Sequence, residues 1–127
     1  MNQAQTASVL IIDDEEGVRE SIGAYLEDFD FQVALAACAQ EGWDQIEIAR
    51  PQVAVVDMRL PDATGETWIL RAHELDPDLV FIIFTGSIHY ELPDSLRALG
   101  MKDEQVLHKP ILDLSQLIRL INRLMGL

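Results

Sequence analysis

Val53-Ala54-Val55-Val56-Asp57 is an unbroken apolar run closed by a carboxylate. Such a run has no polar face to turn toward water, so it predicts a strand buried on both sides, as in a parallel sheet. Two further runs share the pattern: Val9-Leu10-Ile11-Ile12 ends at Asp13 and Asp14, and Leu79 to Phe84 ends at Thr85. Phe31 to Ala37 reads as a second strand, and Gln105-Val106-Leu107-His108 as a short fifth that ends at Lys109-Pro110. Between the strands the apolar spacing lengthens to that of a helix. Val18, Ile22, Leu26 and Phe29 predict a first helix over about Glu15 to Asp28. Ala39 to Ala49 predicts a second, with Trp43 and Ile46 on one face, stopped before Pro51. A third follows the turn-rich Arg59-Leu60-Pro61-Asp62-Ala63-Thr64-Gly65 and runs to about Leu75. In the fourth, Pro93 sits in the first turn, Leu96 and Leu99 face inward, and Gly100 is the stop. The last helix turns Leu114, Leu117, Ile118, Ile121, Leu124 and Met125 inward and leaves Leu120 and Leu127 off the stripe. Five strands alternating with five helices predict an α/β fold, a doubly wound parallel sheet covered on both faces.

The 127 residues suit one domain over 1–127, with a core from about residue 8. A hydrophobic share of 49% fits a globular chain with its own core. No apolar run approaches the ~18 residues of a membrane span, and Met1-Asn2-Gln3-Ala4-Gln5-Thr6 has neither the basic nor the apolar region of a signal peptide. Cys38 is the single cysteine, which excludes an internal disulfide and a multi-cysteine zinc site and reads as a small buried hydrophobe. These features set the expectation of a cytoplasmic protein without membrane contact. The net charge of −13 argues against binding a phosphate backbone and leaves room for a basic partner or a metal ion.

The polar residues that stand out close the predicted strands. Ligands of open α/β sheets bind beyond the carboxyl ends of the strands, at the point where strand order reverses. With strand order 2-1-3-4-5, Asp13, Asp14 and Asp57 crowd one cleft, and their mutual repulsion would be relieved by a hard divalent cation such as magnesium. Thr85 adds a hydroxyl and Lys109, one of two lysines, a fixed positive charge. A metal, a hydroxyl and an ammonium around one carboxylate are equipment for phosphoryl transfer, with Asp57 as nucleophile. Taken singly, each residue also has a plain structural reading: Asp13-Asp14 as an acidic helix cap, Thr85-Gly86 as a turn, Lys109 as a surface lysine. His73, His89 and His108 show no metal-ligand spacing, and Trp43 and Trp68 read as packing residues.

Together, Ile11-Ile12-Asp13-Asp14-Glu15-Glu16, Val55-Val56-Asp57-Met58-Arg59-Leu60-Pro61, Thr85-Gly86 and Lys109-Pro110 resemble the receiver domain of two-component response regulators, over about Ser8 to Leu127. The resemblance implies a flavodoxin-like sheet and a signalling phosphoacceptor that assists its own phosphorylation and dephosphorylation but is no enzyme in the ordinary sense. It implies that Asp57 takes phosphate from a histidine kinase or a histidine phosphotransfer protein. Asp14 would bind Mg2+ (or Mn2+) directly, Asp13 largely through water, and the Arg59 main-chain carbonyl would be a further ligand. Thr85 and Lys109 would hold phosphoryl oxygens, Gly86 would leave the site open, and the Lys109–Pro110 bond would be cis. The signal would pass through the surface of the fourth helix, fifth strand and fifth helix to a downstream protein; homodimerisation stays open, and no nucleic acid contact is expected.

The chain departs from the family where that signal would travel. The family usually has Tyr or Phe three residues before the lysine, and here the residue is Val106. Gly100 to Gln105 is about two residues longer than usual, and Pro93 interrupts the start of the fourth helix. His89 and Tyr90, close after Thr85, then become the candidate switch residues. Two other classes fit less well. A haloacid-dehalogenase phosphatase carries its second Asp two positions after the nucleophile, whereas Asp13 is followed by Asp14 and Glu15. A phosphorylation-independent receiver-like module lacks acidic-pocket or lysine residues that are all present here. A dinucleotide site would need G-x-G-x-x-G at the acidic first turn.

Overall fold

The computed structural model describes residues 7–111 and 113–126. Its strands are β1 (Ser8–Ile12), β2 (Gln32–Ala36), β3 (Val53–Asp57), β4 (Val80–Thr85) and β5 (Val106–His108), and its helices are α1 (Glu16–Asp28), α2 (Ala39–Ala49), α3 (Gly65–Leu75), α4 (Asp94–Arg97) and α5 (Ser115–Met125). The strands form one parallel sheet in the order β2-β1-β3-β4-β5. The reversal of strand order falls between β1 and β3, where Ile12 pairs with Val56. The residues that follow these two on their strands are thereby set side by side.

Two apolar layers explain why the strand runs are continuous. Leu10, Ile12, Ala54, Val56, Phe81 and Ile83 face one layer with α2, α3 and α4 residues such as Ile46, Trp68, Ile69 and Leu96. Val9, Ile11, Val53, Val55, Ile82 and Phe84 face the other, with Ile22 and Leu26 of α1 and Leu117 and Ile121 of α5. Alternate residues therefore serve opposite layers, and every residue of β3 is buried. In the first layer Trp68 is fully buried and meets Phe81 edge-on at 6.2 Å between ring centroids.

Several elements differ from their sequence expectation. Phe29 is exposed and packs beside Tyr25, 5.1 Å between centroids, because α1 turns only Ile22, Gly23 and Leu26 fully inward. Leu120 is buried: Leu117, Leu120 and Ile121 are themselves an i, i+3, i+4 set, so the inner face lies one position around from the expected stripe. Leu127 lies outside the described residues. Cys38 is half-buried rather than buried, since it sits just ahead of α2. Pro93 precedes α4 instead of opening its first turn, and the helix has only four residues before the chain reaches Gly100 at a φ of +96°. Gln105 belongs to a 3-10 turn (Asp103–Gln105) ahead of β5. Its side chain donates from Nε2 to the Phe81 carbonyl at 2.9 Å and accepts at Oε1 from the Lys102 N–H at 2.9 Å. Since β5 pairs with β4 only from Ile83 onward, the Gln105 amide satisfies a carbonyl the short edge strand does not reach.

Candidate functional site

β1 and β3 each run straight into a carboxylate. Asp57, the last residue of β3, is 7% exposed, and Asp13, immediately after β1, is 2% exposed. Asp13 Oδ1 accepts from the Glu15 N–H at 2.9 Å, a local turn that opens α1. Asp57 Oδ1 accepts from the Arg59 N–H at 3.2 Å. Asp13, Asp14 and Asp57 each bring a carboxylate oxygen within 4.8 Å of the others. Asp13 and Asp57 are buried while Asp14 is exposed, so the cluster opens toward solvent on the Asp14 side.

Lys109 enters from the end of β5, its N–H donating to the Thr85 carbonyl at 2.7 Å. Its ammonium lies 2.8 Å from Asp13 Oδ2, 3.2 Å from Glu15 Oε1 and 3.5 Å from Asp57 Oδ2. The Phe84 ring supports it from below, with Nζ 5.3 Å from the centroid. The Lys109–Pro110 peptide bond is cis. Thr85 is buried, and its Oγ1 accepts from the Ser87 N–H at 3.1 Å. Gly86 is exposed, and a Cβ built there would meet no atom within 4 Å.

The electrostatics follow from this crowding. Burial pushes the Asp57 carboxyl up from 3.8 to about 6, and the charges of Asp13 and Asp14 add to it; the Arg59 N–H and the Lys109 ammonium pull the other way. For Lys109 burial works against the charged form, but the Asp13 hydrogen bond and the Asp57 and Asp13 charges outweigh it and hold the ammonium above its ordinary value. One lysine thus serves three carboxylates, too few positive charges to balance them. A partly buried, under-compensated cluster of hard oxygen donors is chemically suited to a small divalent cation.

A cavity of about 960 Å³ opens over this cluster, lined among others by Asp57, Arg59, Thr85, His89, Tyr90 and Lys109. A family model for the response regulator receiver domain matches residues 9–122. The chain belongs to that family. Among curated proteins, this receiver domain is 42% identical over 72 residues to response regulator Rre1 of Synechocystis sp., a match covering 56% of the chain and 31% of Rre1. It is 29% identical over 106 residues to the transcriptional regulatory protein FixJ of Rhizobium meliloti, covering 84% of the chain and 51% of FixJ. The chain therefore spans about a third to a half of these relatives. Among solved structures, a CheY-like receiver domain protein of Methanospirillum hungatei superposes with a TM-score of 0.82 at 27% identity, covering 96% of this chain and 95% of that one. Vibrio cholerae CheY4 shares the fold, with a TM-score of 0.81 at 23% identity over 93% of this chain and 98% of its own.

Within this receiver domain the structure gathers Asp13, Asp14, Asp57, Arg59, Thr85, Gly86 and Lys109 at one sheet edge, with His89 and Tyr90 along the same cavity. Val106 stands apart, half-buried against the α3–α4 layer and paired with Ile83. The Tyr90 hydroxyl is buried without a hydrogen-bond partner among the described residues. Burial first, then the Glu66 carboxylate, raises its pKa. Glu66 itself accepts from Ser95 Oγ of α4 at 2.6 Å. Sequence reasoning passed over Glu15, the exposed third partner of Lys109, and Arg19, whose Nη1 donates to the Asp13 carbonyl at 2.9 Å. Both lie in the acidic stretch and first helical turn next to Asp13, so adjacency was the available signal.

Proposed function

We propose that this receiver domain is a phosphoacceptor and that Asp57 takes a phosphoryl group from a phosphohistidine donor, a histidine kinase or phosphotransfer protein in the cytoplasm. The observation that carries the reading is a buried strand-end carboxylate with an ammonium at 3.5 Å and two further carboxylates within oxygen reach. In the transfer an Asp57 oxygen bonds to phosphorus as the P–N bond breaks, and the electron pair leaves on the imidazole nitrogen, which takes up a proton. The Lys109 ammonium pairs with a phosphoryl oxygen, and the Thr85 hydroxyl donates to another. Asp13, Asp14, Asp57 and the Arg59 carbonyl would hold Mg2+, or Mn2+ in its place, which supplies charge neutralisation at the phosphoryl oxygens. A Gly86 without Cβ keeps that side of the cavity open to the donor. The signal then leaves through the segment carrying His89 and Tyr90 toward the surface of α4, β5 and α5, since Val106 has no ring to reorient.

Incubation with acetyl phosphate and Mg2+ tests the assignment by intact mass. The wild-type chain gains one phosphoryl group and Asp57→Asn gains none; equal incorporation in the variant refutes Asp57 as acceptor. The cation site has its own check. Mg2+ binds the folded form, so at a hundredfold excess over its Kd it adds about 2.7 kcal/mol of stability and raises the melting temperature. Asp14→Ala removes a direct ligand and should abolish that rise. An identical Mg2+ response in both proteins contradicts the site.

A further inference from the structure

The turn from Met58 to Thr64 carries the Arg59 carbonyl, yet its own bonds close only its base. Arg59 and Thr64 form an isolated bridge, and the Leu60 N–H donates to the Ala63 carbonyl at 3.2 Å. Pro61 and Asp62, at the tip, are exposed. The tip is nevertheless tied to another element. Asp62 Oδ1 accepts from the Ala39 N–H at 2.7 Å, and Oδ2 accepts from the Gln40 N–H at 3.1 Å. These are orphan donors of α2, whose own cap residue, Cys38, makes no side-chain cap bond.

The receiving end is held from two sides. The Ala39 carbonyl accepts from the buried Trp68 Nε1 at 3.1 Å, and the Ala36 carbonyl accepts from the Asp13 N–H at 3.1 Å. The chain from Ala36 to Gln40 therefore touches the Asp13 backbone at one end and, through Asp62, the Arg59 turn at the other. It braces the two halves of the acidic cluster from behind. We infer that Asp62 is a positioning residue of the phosphoacceptor site: by capping α2 from the Arg59 turn it fixes the Arg59 backbone relative to Asp13 and Asp57, and so sets the affinity of the site for Mg2+. This inference rests on the phosphoacceptor reading above.

The tether acts by pre-ordering the turn, so its loss costs the cation no more than the tether is worth. For a helix cap that is about fivefold in affinity. The test uses the whole chain, with Mg2+ titrated against melting temperature and against the initial rate of phosphorylation by acetyl phosphate. Asp62→Ala should need about fivefold more Mg2+ for the half-maximal effect, with a plateau rate within about twofold of wild type. Asp62→Asn keeps one acceptor oxygen, enough for the Ala39 or the Gln40 N–H but not for both, so its Mg2+ requirement should lie between those of wild type and Asp62→Ala. Asp113→Ala removes the acceptor of the Ser115 N–H at the start of α5 and serves as the control for a lost cap elsewhere. It should lower the melting temperature but leave the Mg2+ requirement unchanged. Wild-type Mg2+ affinity in Asp62→Ala overturns the inference, and so does an equal loss in Asp113→Ala. A larger Mg2+ requirement in Asp62→Asn than in Asp62→Ala overturns it too, because the retained bond would then count for nothing. A wild-type chain that neither binds Mg2+ nor takes phosphate sinks the functional reading itself, and the inference with it.

Discussion

Gly65→Ala should destabilise the protein by about 3 kcal/mol, at the upper end of what overpacking costs. A Cβ at this position would stand 2.6 Å from Met58 Sδ, 2.7 Å from the Asp57 carbonyl oxygen and 2.8 Å from Met58 Cα. The sulfur can swing away, but the other two atoms are backbone at the end of β3. Relief requires α3 to back off from the strand, which also stretches the 3.0 Å bond from the Gly65 N–H to the Met58 carbonyl. The shift is transmitted to Asp57, so phosphorylation should slow as well. Urea unfolding checks the stability: the midpoint should fall while the slope keeps its wild-type value. Gly17→Ala is the control, since a Cβ there meets nothing within 4 Å and alanine is the better helix former by roughly 0.5–1 kcal/mol. Equal midpoints for Gly65→Ala and wild type would contradict the close approach.

Asp57→Asn should make the metal-free protein more stable at pH 7.5, the opposite of what removal of a buried hydrogen-bonded group normally does. The folded-state pKa of about 6 lies above the ordinary 3.8, so the folded chain holds this proton more tightly than the unfolded one. Stability therefore falls as pH rises between those values and stays reduced above them. Solvent on the open Asp14 side screens the site, so the penalty is at most roughly 3 kcal/mol at 1.36 kcal/mol per pH unit. Asparagine cannot ionise and escapes it, although it gives up the attraction to Lys109. At pH 4.5 the advantage of the variant should shrink by more than half, because the wild-type carboxylate is then mostly protonated in the folded state. Thermal melts in chelator at the two pH values decide it. A variant less stable than wild type at pH 7.5, or an advantage independent of pH, would show that Asp57 is not under that pressure.

Much of this was legible in the chain because burial on two faces leaves a plain mark. β1, β3 and β4 carry unbroken apolar runs, and the first polar residue after each run falls at the sheet edge where ligands bind. Asp13, Asp57 and Thr85 can therefore be placed together from the sequence. Helix faces were less secure: the inner face of α5 depends on which of several leucines starts the count, and Leu120 went to the wrong side. The contacts that evaded sequence reasoning join polar groups far apart in the chain. Asp62 reaches back 23 residues to Ala39, and Gln105 reaches 24 residues to Phe81. Neither interaction has a period, and an aspartate after a proline in a turn explains itself locally. Such links become visible only when the fold brings the elements into register.

The Gln105 amide also decides where movement can go. It bolts the chain between Lys102 and β5 to the interior of β4, so residues 86–101 form a span held at Thr85, at the buried Leu92 and Leu96, and at this bolt. The stretch with the fewest core anchors is 86–91, between Thr85 and the buried Leu92, where Ile88, 77% exposed, stands clear of the surface.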